Sequence, residues 1–229
     1  MLSQLKELAK KYPKPYEIIR SIFSPVFLMG KSYRVLQDQL DSKGIVFNLG
    51  SGSVRRTGIQ NLDCFPYPTV DIVADIHWLP FLNESINGVI SEAVLEHVSS
   101  PQKCVEEIQR VLKPGGLVYC RVPFVVPFHS APSDYFRWTK EGIRKLFDGF
   151  EILEFGIAGG PTSAFLWVFQ EWVAMLFSFN QRWLYELIFF GLMLITFPLK
   201  FLDFILSRYS FAVNMTSTFY VLAKKPLRA

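Results

Sequence analysis

The most constraining feature of this chain is a short, mostly apolar run, Ile45 to Leu49, that ends directly on Gly50-Ser51-Gly52. A run this short and this apolar, bounded by turn residues, reads as a strand buried on both faces, the habit of a parallel sheet. Parallel neighbours need long crossovers, so the rest of the chain must alternate strand with helix. It does. Further strand patterns begin at Thr69 (TVDIVAD), Ile86 (INGVISEA), Gly115 (GGLVYCRVPF), Phe150 (FEILEFGIAGG) and Thr216 (TSTFYVLAKKP). A helix is expected from Pro101 to Leu112, closed by Lys113-Pro114-Gly115-Gly116, and another from an N-cap at Thr139 to Phe147. Upstream, helical patterns cover Leu2 to Lys11 and resume at Tyr16 after Pro13 and Pro15, with a third from about Val26 to Leu40.

The organisation expected from these patterns has three parts: an N-terminal helical region, 1–43; an α/β domain, 44–160 with 216–229; and a hydrophobic helical insertion, 161–215. The insertion explains the composition. The chain is 50% hydrophobic with 22 Phe and only 19% charged residues, more apolar surface than an ordinary core absorbs. Its longest uncharged stretch, Leu187 to Leu199, is shorter than the roughly 20 residues of a spanning helix. The insertion also separates two strands of one sheet, so a single crossing would strand the last of them across the bilayer. An interfacial helix or a returning hairpin is expected, with Trp167, Trp172, Trp183, Arg182, Lys200 and Arg208 as interfacial residue types. The alternative is an extra helical layer packed on the sheet or a dimer face.

Charge narrows the partners. The net charge is +4, and no basic stripe marks a nucleic-acid partner. Positive residues cluster between Lys6 and Arg34, which suits anionic lipid or a solvated helix face. The cysteines, Cys64, Cys104 and Cys120, fit neither a disulfide framework nor a zinc motif. They read as reduced thiols, and no metal ligand set is expected. The opening residues lack the apolar stretch of a signal peptide, which points to a cytoplasmic protein held peripherally or monotopically on a membrane.

In an open α/β sheet ligands bind beyond the carboxyl ends of the strands. Gly50-Ser51-Gly52 lies at such an end, where glycines permit a sharp turn and close backbone approach. Asp63, after GIQNL, is placed to accept both hydroxyls of a ribose. Asp75, followed by Ile76, is placed to accept an exocyclic amine while the apolar neighbour packs on a ring. A nicotinamide fingerprint would need a longer glycine motif, which this turn lacks.

VFNLGSGS, NLD, VADIHWLPFLNESINGVISEAVLEHV and EIQRVLKPGGLVYCRVP, taken together, resemble the successive motifs of the class I S-adenosylmethionine-dependent methyltransferases, over about Gly44 to Gly160 and the last strand. The resemblance implies a Rossmann-like seven-stranded sheet, mostly parallel with an antiparallel last strand, and S-adenosylmethionine as cofactor. It implies that Gly50, Ser51 and Gly52 line the methionine and ribose end, that Asp63 binds the ribose, that Asp75 and Ile76 hold the adenine, and that Glu92 and Ala93 lie beside the reacting methyl. Two departures stand out. The usual first-strand acid is Asn48, and Ser53-Val54 replaces the third glycine, leaving little room for a first helix before Asp63.

Methyl transfer needs alignment and, for a hydroxyl acceptor, a base. His97 in LEHV and His129 in PFHSAPSDYFRWT follow strand ends and are the candidates, against a structural role bridging loops. Tyr135 and Arg137, in the same loop as His129, are candidate substrate residues. Arg137 is suited to an anionic group or to a salt bridge with Asp134. The function expected is methyl transfer to a small or lipid-linked amphiphilic acceptor at a membrane surface. The alternative is a degenerate, non-catalytic binding or scaffold protein on the same fold.

Overall fold

A computed structural model of the protein describes residue 24 and residues 26–40, 44–56, 58–129 and 132–227. The basic stretch before Ser24 and the two helices expected there lie outside these residues. The chain divides into two compact units, Gly30–Ala158 with Thr218–Ala229, and Gly159–Ser217 with the residues up to Met29. Of the region expected as a separate N-terminal part, the described residues up to Met29 fall in one unit and those from Gly30 in the other.

The first unit is a seven-stranded sheet in the order β3-β2-β1-β4-β5-β7-β6. Its strands are β1 (Val46–Leu49), β2 (Gln60–Asp63), β3 (Ile72–Val73), β4 (Ile86–Glu92), β5 (Leu112–Pro123), β6 (Glu151–Gly159) and β7 (Thr218–Lys224). From β3 to β5 all pairings are parallel, and β7 runs antiparallel to β5. β1 is buried along its whole length, as its apolar run required. LKPGG ends the helix from Pro101, as expected, but does so inside the sheet. Leu112 already pairs with Ile86, and the register then slips until Leu117 pairs with Gly88, so the segment is a bulge inside β5.

The stretch expected as a third helix over 26–40 is not helical in its first half, 26–32, and continues from Tyr33 as a short helix followed by turns to Leu40. Only α1 (Arg34–Gln37) is helical. Leu28 bridges to Gly159, and the Gly30 amide donates to the Ala158 carbonyl at 3.1 Å. A Cβ at Gly30 would stand 2.3 Å from the Ile157 carbonyl oxygen. Unpaired groups on the β6 edge captured a chain whose spacing alone suited a helix.

Helix α2 (Pro101–Val111) buries Cys104, Val105, Ile108 and Val111, one face at helical spacing, and starts on a proline. Its Arg110 donates to Glu107 and to the carbonyls of Leu79 and Phe81, and Glu107 accepts from the Leu79 amide. That clamp fixes the LPF loop after β3. Helix α3 (Lys140–Leu146) is capped by Thr139, whose hydroxyl accepts from the Gly142 amide. The core joins Leu36, Val46, Ile90, Tyr119 and Leu222, with Tyr119 stacked on Tyr220.

The second unit is a helical hairpin. Helices α4 (Pro161–Ser178) and α5 (Arg182–Thr196) meet at Phe179 and Asn180, both left-handed with φ of 48° and 61°. The buried Gln170 amide donates to the Thr196 hydroxyl across the pair. Short helix α6 (Asp203–Leu206) follows, and its buried Asp203 accepts from the amides of Thr162 and Ser163 and from the Ser163 hydroxyl, capping α4. The Ser217 amide donates to the Gly159 carbonyl at 3.0 Å, so the chain leaves the sheet and returns to it at one point.

Candidate active site

The order β3-β2-β1-β4-β5 reverses direction between β1 and β4, and a crevice at the carboxyl ends is expected there. A cavity of about 500 Å³ occupies that place, within the usual range for small-ligand sites. Four parallel strands each deliver residues to it: Gly50 and Gly52 after β1, Asp63, Phe65 and Tyr67 at β2, Asp75 and Ile76 after β3, Ala93 and His97 after β4. Pro132, beyond β5, completes the lining.

Gly50 and Gly52 both have φ near 60°, where a side chain is strained. A Cβ on Gly50 would also meet Val94 at 2.5 Å, whereas one on Gly52 would meet nothing within 4 Å. Asp63 is buried. One carboxylate oxygen accepts from the Gly52 amide at 2.7 Å and the other from the Phe65 amide at 2.9 Å, which leaves lone pairs for a ligand. The Asp75 carboxyl sits below its usual range: burial opposes this, but the hydrogen bonds from the His77 amide and ring outweigh it. Ile76 is buried beside it. Ala93 holds φ 56°, with its amide donating to the Arg121 carbonyl.

Three expected cofactor residues do not line the cavity. The Ser51 hydroxyl is buried and without a hydrogen-bond partner among the described residues. Asn48 and Glu92 both turn to Arg56, a residue the sequence reading missed. Arg56 pairs with Glu92, donates to Asn48 Oδ1 at 2.9 Å and lies 4.2 Å over the Tyr33 ring. Glu92 also faces Arg121 at 3.5 Å. Asn48 Nδ2 in turn donates to Asn61 Oδ1. An amide can donate and accept at once and a carboxylate cannot, which accounts for Asn in place of the usual acid.

Of the two histidines expected at the site, His97 lines the cavity and His129 does not; His129 stands behind His97, their rings 5.3 Å apart and edge to face. His97 Nδ1 contacts the Ser133 carbonyl and His129 Nδ1 the Pro127 carbonyl. The nearby Glu96 carboxylate raises the His129 pKa, against the pull of burial. The loop around them is locked by Asp134, which accepts from the His129 amide and from both ends of the Arg137 guanidinium. Arg137 holds the Asp134 carboxyl at about 2. Arg137 also donates to the carbonyls of Val126, Pro127 and Phe136. Of its two expected roles the structure therefore displays the salt bridge, and Arg137 is engaged in the loop, not presented to a substrate. Tyr135 is exposed outside the cavity lining, its amide bound to the Glu96 carbonyl.

Comparison with known proteins agrees with this fold. Residues 54–120 match a methyltransferase domain family. A tRNA (carboxymethyluridine(34)-5-O)-methyltransferase of Arabidopsis thaliana is 32% identical over 136 residues, 51% of this chain and 33% of that protein. A ubiquinone/menaquinone biosynthesis C-methyltransferase of Ruegeria sp. is 30% identical over 100 residues, 44% of this chain and 34% of that protein. The chain thus spans about a third of the length of these curated relatives. Among solved structures, a Burkholderia thailandensis 1,6-didemethyltoxoflavin-N1-methyltransferase with bound S-adenosylhomocysteine superposes with TM-score 0.54 at 12% identity, over 96% of this chain and 87% of that one. The cyclase SpnF does so with TM-score 0.51 at 18% identity, over 85% and 80%. Its motifs, its seven-stranded sheet and these matches together support a class I S-adenosylmethionine-dependent methyltransferase.

Proposed function

We propose that the protein is a methyltransferase that binds S-adenosylmethionine in the β1/β4 crevice and methylates a small or lipid-linked amphiphilic acceptor. The observation that carries the reading is Asp63. It is a buried carboxylate at the end of β2 that braces the glycine turn and still faces a cavity of about 500 Å³. Asp63 would hold the ribose, Asp75 and Ile76 the adenine, and the backbone of Gly50 and Gly52 the methionine end, with Ala93 beside it. Bound there, the cofactor supplies an electrophilic methyl group on a sulfonium. The protein's part is to align the acceptor with it and exclude water. His97, with His129 and the buried Glu96 behind it, marks the side assigned to the acceptor, where His97 would take its proton or polarise its oxygen.

A membrane setting is supported by what the hairpin leaves uncovered. Trp172, Phe177, Phe179, Trp183, Ile195 and Phe211 are each more than half exposed, Phe179 and Phe211 at 78%. An apolar patch of this kind marks a partner or a lipid surface. The helical run Arg182–Leu206 is long and apolar enough to cross a bilayer, and most of its apolar stretch is not buried. A core helix would be mostly buried. As a hairpin that returns to its starting point, the unit is suited to monotopic insertion.

Calorimetric titration of the purified protein with S-adenosylmethionine and S-adenosylhomocysteine tests the cofactor assignment. Micromolar binding is expected. A folded protein that binds neither would leave the scaffold reading in its place.

A further inference from the structure

Beside the cavity, a fully buried carboxylate faces two imidazoles. Glu96 sits in the single turn Leu95–His97 after β4 and is 0% exposed. Neither of its carboxylate oxygens has a hydrogen-bond partner among the described residues. A buried ionised carboxylate left alone is costly, and proteins pair it or place it on a metal. Facing the same Oε1 are His97 Nε2 at 3.9 Å and His129 Nε2 at 3.8 Å, both too long for hydrogen bonds.

The protonation of the rings follows from their other nitrogens. Each Nδ1 lies against a backbone carbonyl, that of Ser133 for His97 and that of Pro127, at 3.0 Å, for His129. A carbonyl has no proton to give, so each contact is attractive only with the proton on Nδ1. Arg137 Nη2 also approaches His129 Nδ1, at 3.4 Å, but it donates at shorter range to Asp134 and to the Pro127 carbonyl. Those bonds use both of its hydrogens. In the neutral rings both Nε2 atoms therefore carry lone pairs. Two imidazole nitrogens and the Glu96 carboxylate converge there.

Such a point needs a positive charge. A proton on one imidazole serves a single Nε2–Oε1 pair, and that pair is too far apart to share it well. A metal ion serves all three ligands at once. Imidazoles whose Nδ1–H is fixed by a carbonyl, with Nε2 aimed inward, have the arrangement that orients metal ligands. The three ligand atoms lie within 4.8 Å of one another, and metal–ligand bonds of about 2.0–2.2 Å would ask them to close by about 1 Å. We infer that Glu96, His97 and His129 bind a divalent first-row transition ion such as zinc. Two imidazole nitrogens and one carboxylate suit zinc or ferrous iron and leave positions open for another ligand, whereas magnesium and calcium prefer all-oxygen sites. His97 also lines the cofactor cavity, so the ion stands where it would polarise an acceptor oxygen. That catalytic consequence rests on the methyl-transfer reading, and the binding itself does not.

The test is titration of the full-length, chelator-stripped protein with zinc by calorimetry and with cobalt by visible absorption. One equivalent of zinc is expected, with cobalt giving the bands of a nitrogen- and oxygen-ligated site. Glu96→Gln and His129→Ala should each weaken zinc binding at least tenfold while melting curves without metal show both variants folded. Cys64→Ser, removing the exposed thiol near the same cavity, should leave stoichiometry and affinity unchanged. Failure of the folded protein to bind zinc at about 0.1 mM, a concentration matching a weak interaction of 5–6 kcal/mol, would overturn the site. So would binding that survives both Glu96→Gln and His129→Ala. Binding of S-adenosylhomocysteine, measured on the same samples, reports on the methyltransferase reading separately.

Discussion

Removing the Asp63 carboxylate has two consequences of different kind, and the structure gives a size for each. In the free protein the carboxylate accepts from the Gly52 and Phe65 amides. Asp63→Ala leaves both partly buried donors without an acceptor, at a cost of about 1–3 kcal/mol of stability. In the complex the same carboxylate would also accept two ribose hydroxyls. Hydrogen bonds to a charged group contribute about 1.5–3 kcal/mol each, and water already solvates the free carboxylate, so we expect a net loss of about 1.5–4 kcal/mol. At about 1.4 kcal/mol per decade, that weakens S-adenosylhomocysteine binding by about tenfold to several hundredfold. Asp63→Asn keeps one acceptor oxygen and should fall between the wild type and Asp63→Ala in both stability and affinity. Calorimetry at a temperature where melting curves show each variant folded separates the two effects. Equal affinity in the wild type and Asp63→Ala would refute the placing of the ribose on Asp63.

Three further outcomes are expected. Ala93→Gly removes a Cβ from a left-handed residue and should stabilise the protein by about 0.5–1 kcal/mol in denaturant titration; destabilisation would mean that Ala93 does not hold that conformation in solution. Asp203→Ala strips the buried acceptor from Thr162 and Ser163 and should cost about 2–4 kcal/mol in melting experiments; a change below about 0.5 kcal/mol would show that the cap contributes little. Replacing residues 161–215 by a short polar linker should abolish flotation with anionic phospholipid vesicles while leaving the sheet folded, since Gly159 and Ser217 are already hydrogen-bonded. Continued flotation would place the lipid contact elsewhere, with the basic residues between Lys6 and Arg34 as the next to test.

What could be read in the sequence was local. β1 followed from a fully buried apolar run, Thr139 from its cap position, and Asp63 and Asp75 from their places at the ends of strand patterns. What escaped was decided by partners distant in sequence. The stretch 26–33 has helical spacing, yet the β6 edge holds it extended at Leu28 and Gly30. Arg56 lies in a turn where no periodicity marks it, and its role exists only because β1 and β4 bring Asn48 and Glu92 to it. The convergence of His97 with His129 on Glu96 likewise depends on a helix and a strand that intervene. Each histidine stands out singly in the sequence, but Glu96, which the LEHV motif sets beside His97, carries no signal of burial.

The position of β7 bears on how the chain is made. β7 fills the gap between β5 and β6, yet Thr218 follows the whole hairpin in sequence. During synthesis at about 5–20 residues per second, the apolar helices emerge while the flank of β5 still lacks its antiparallel neighbour. For several seconds the nascent protein therefore presents an open sheet edge together with a hydrophobic surface, both of them aggregation hazards. Early capture of the hairpin by a membrane or a chaperone would cover one hazard before the arrival of β7 closes the other.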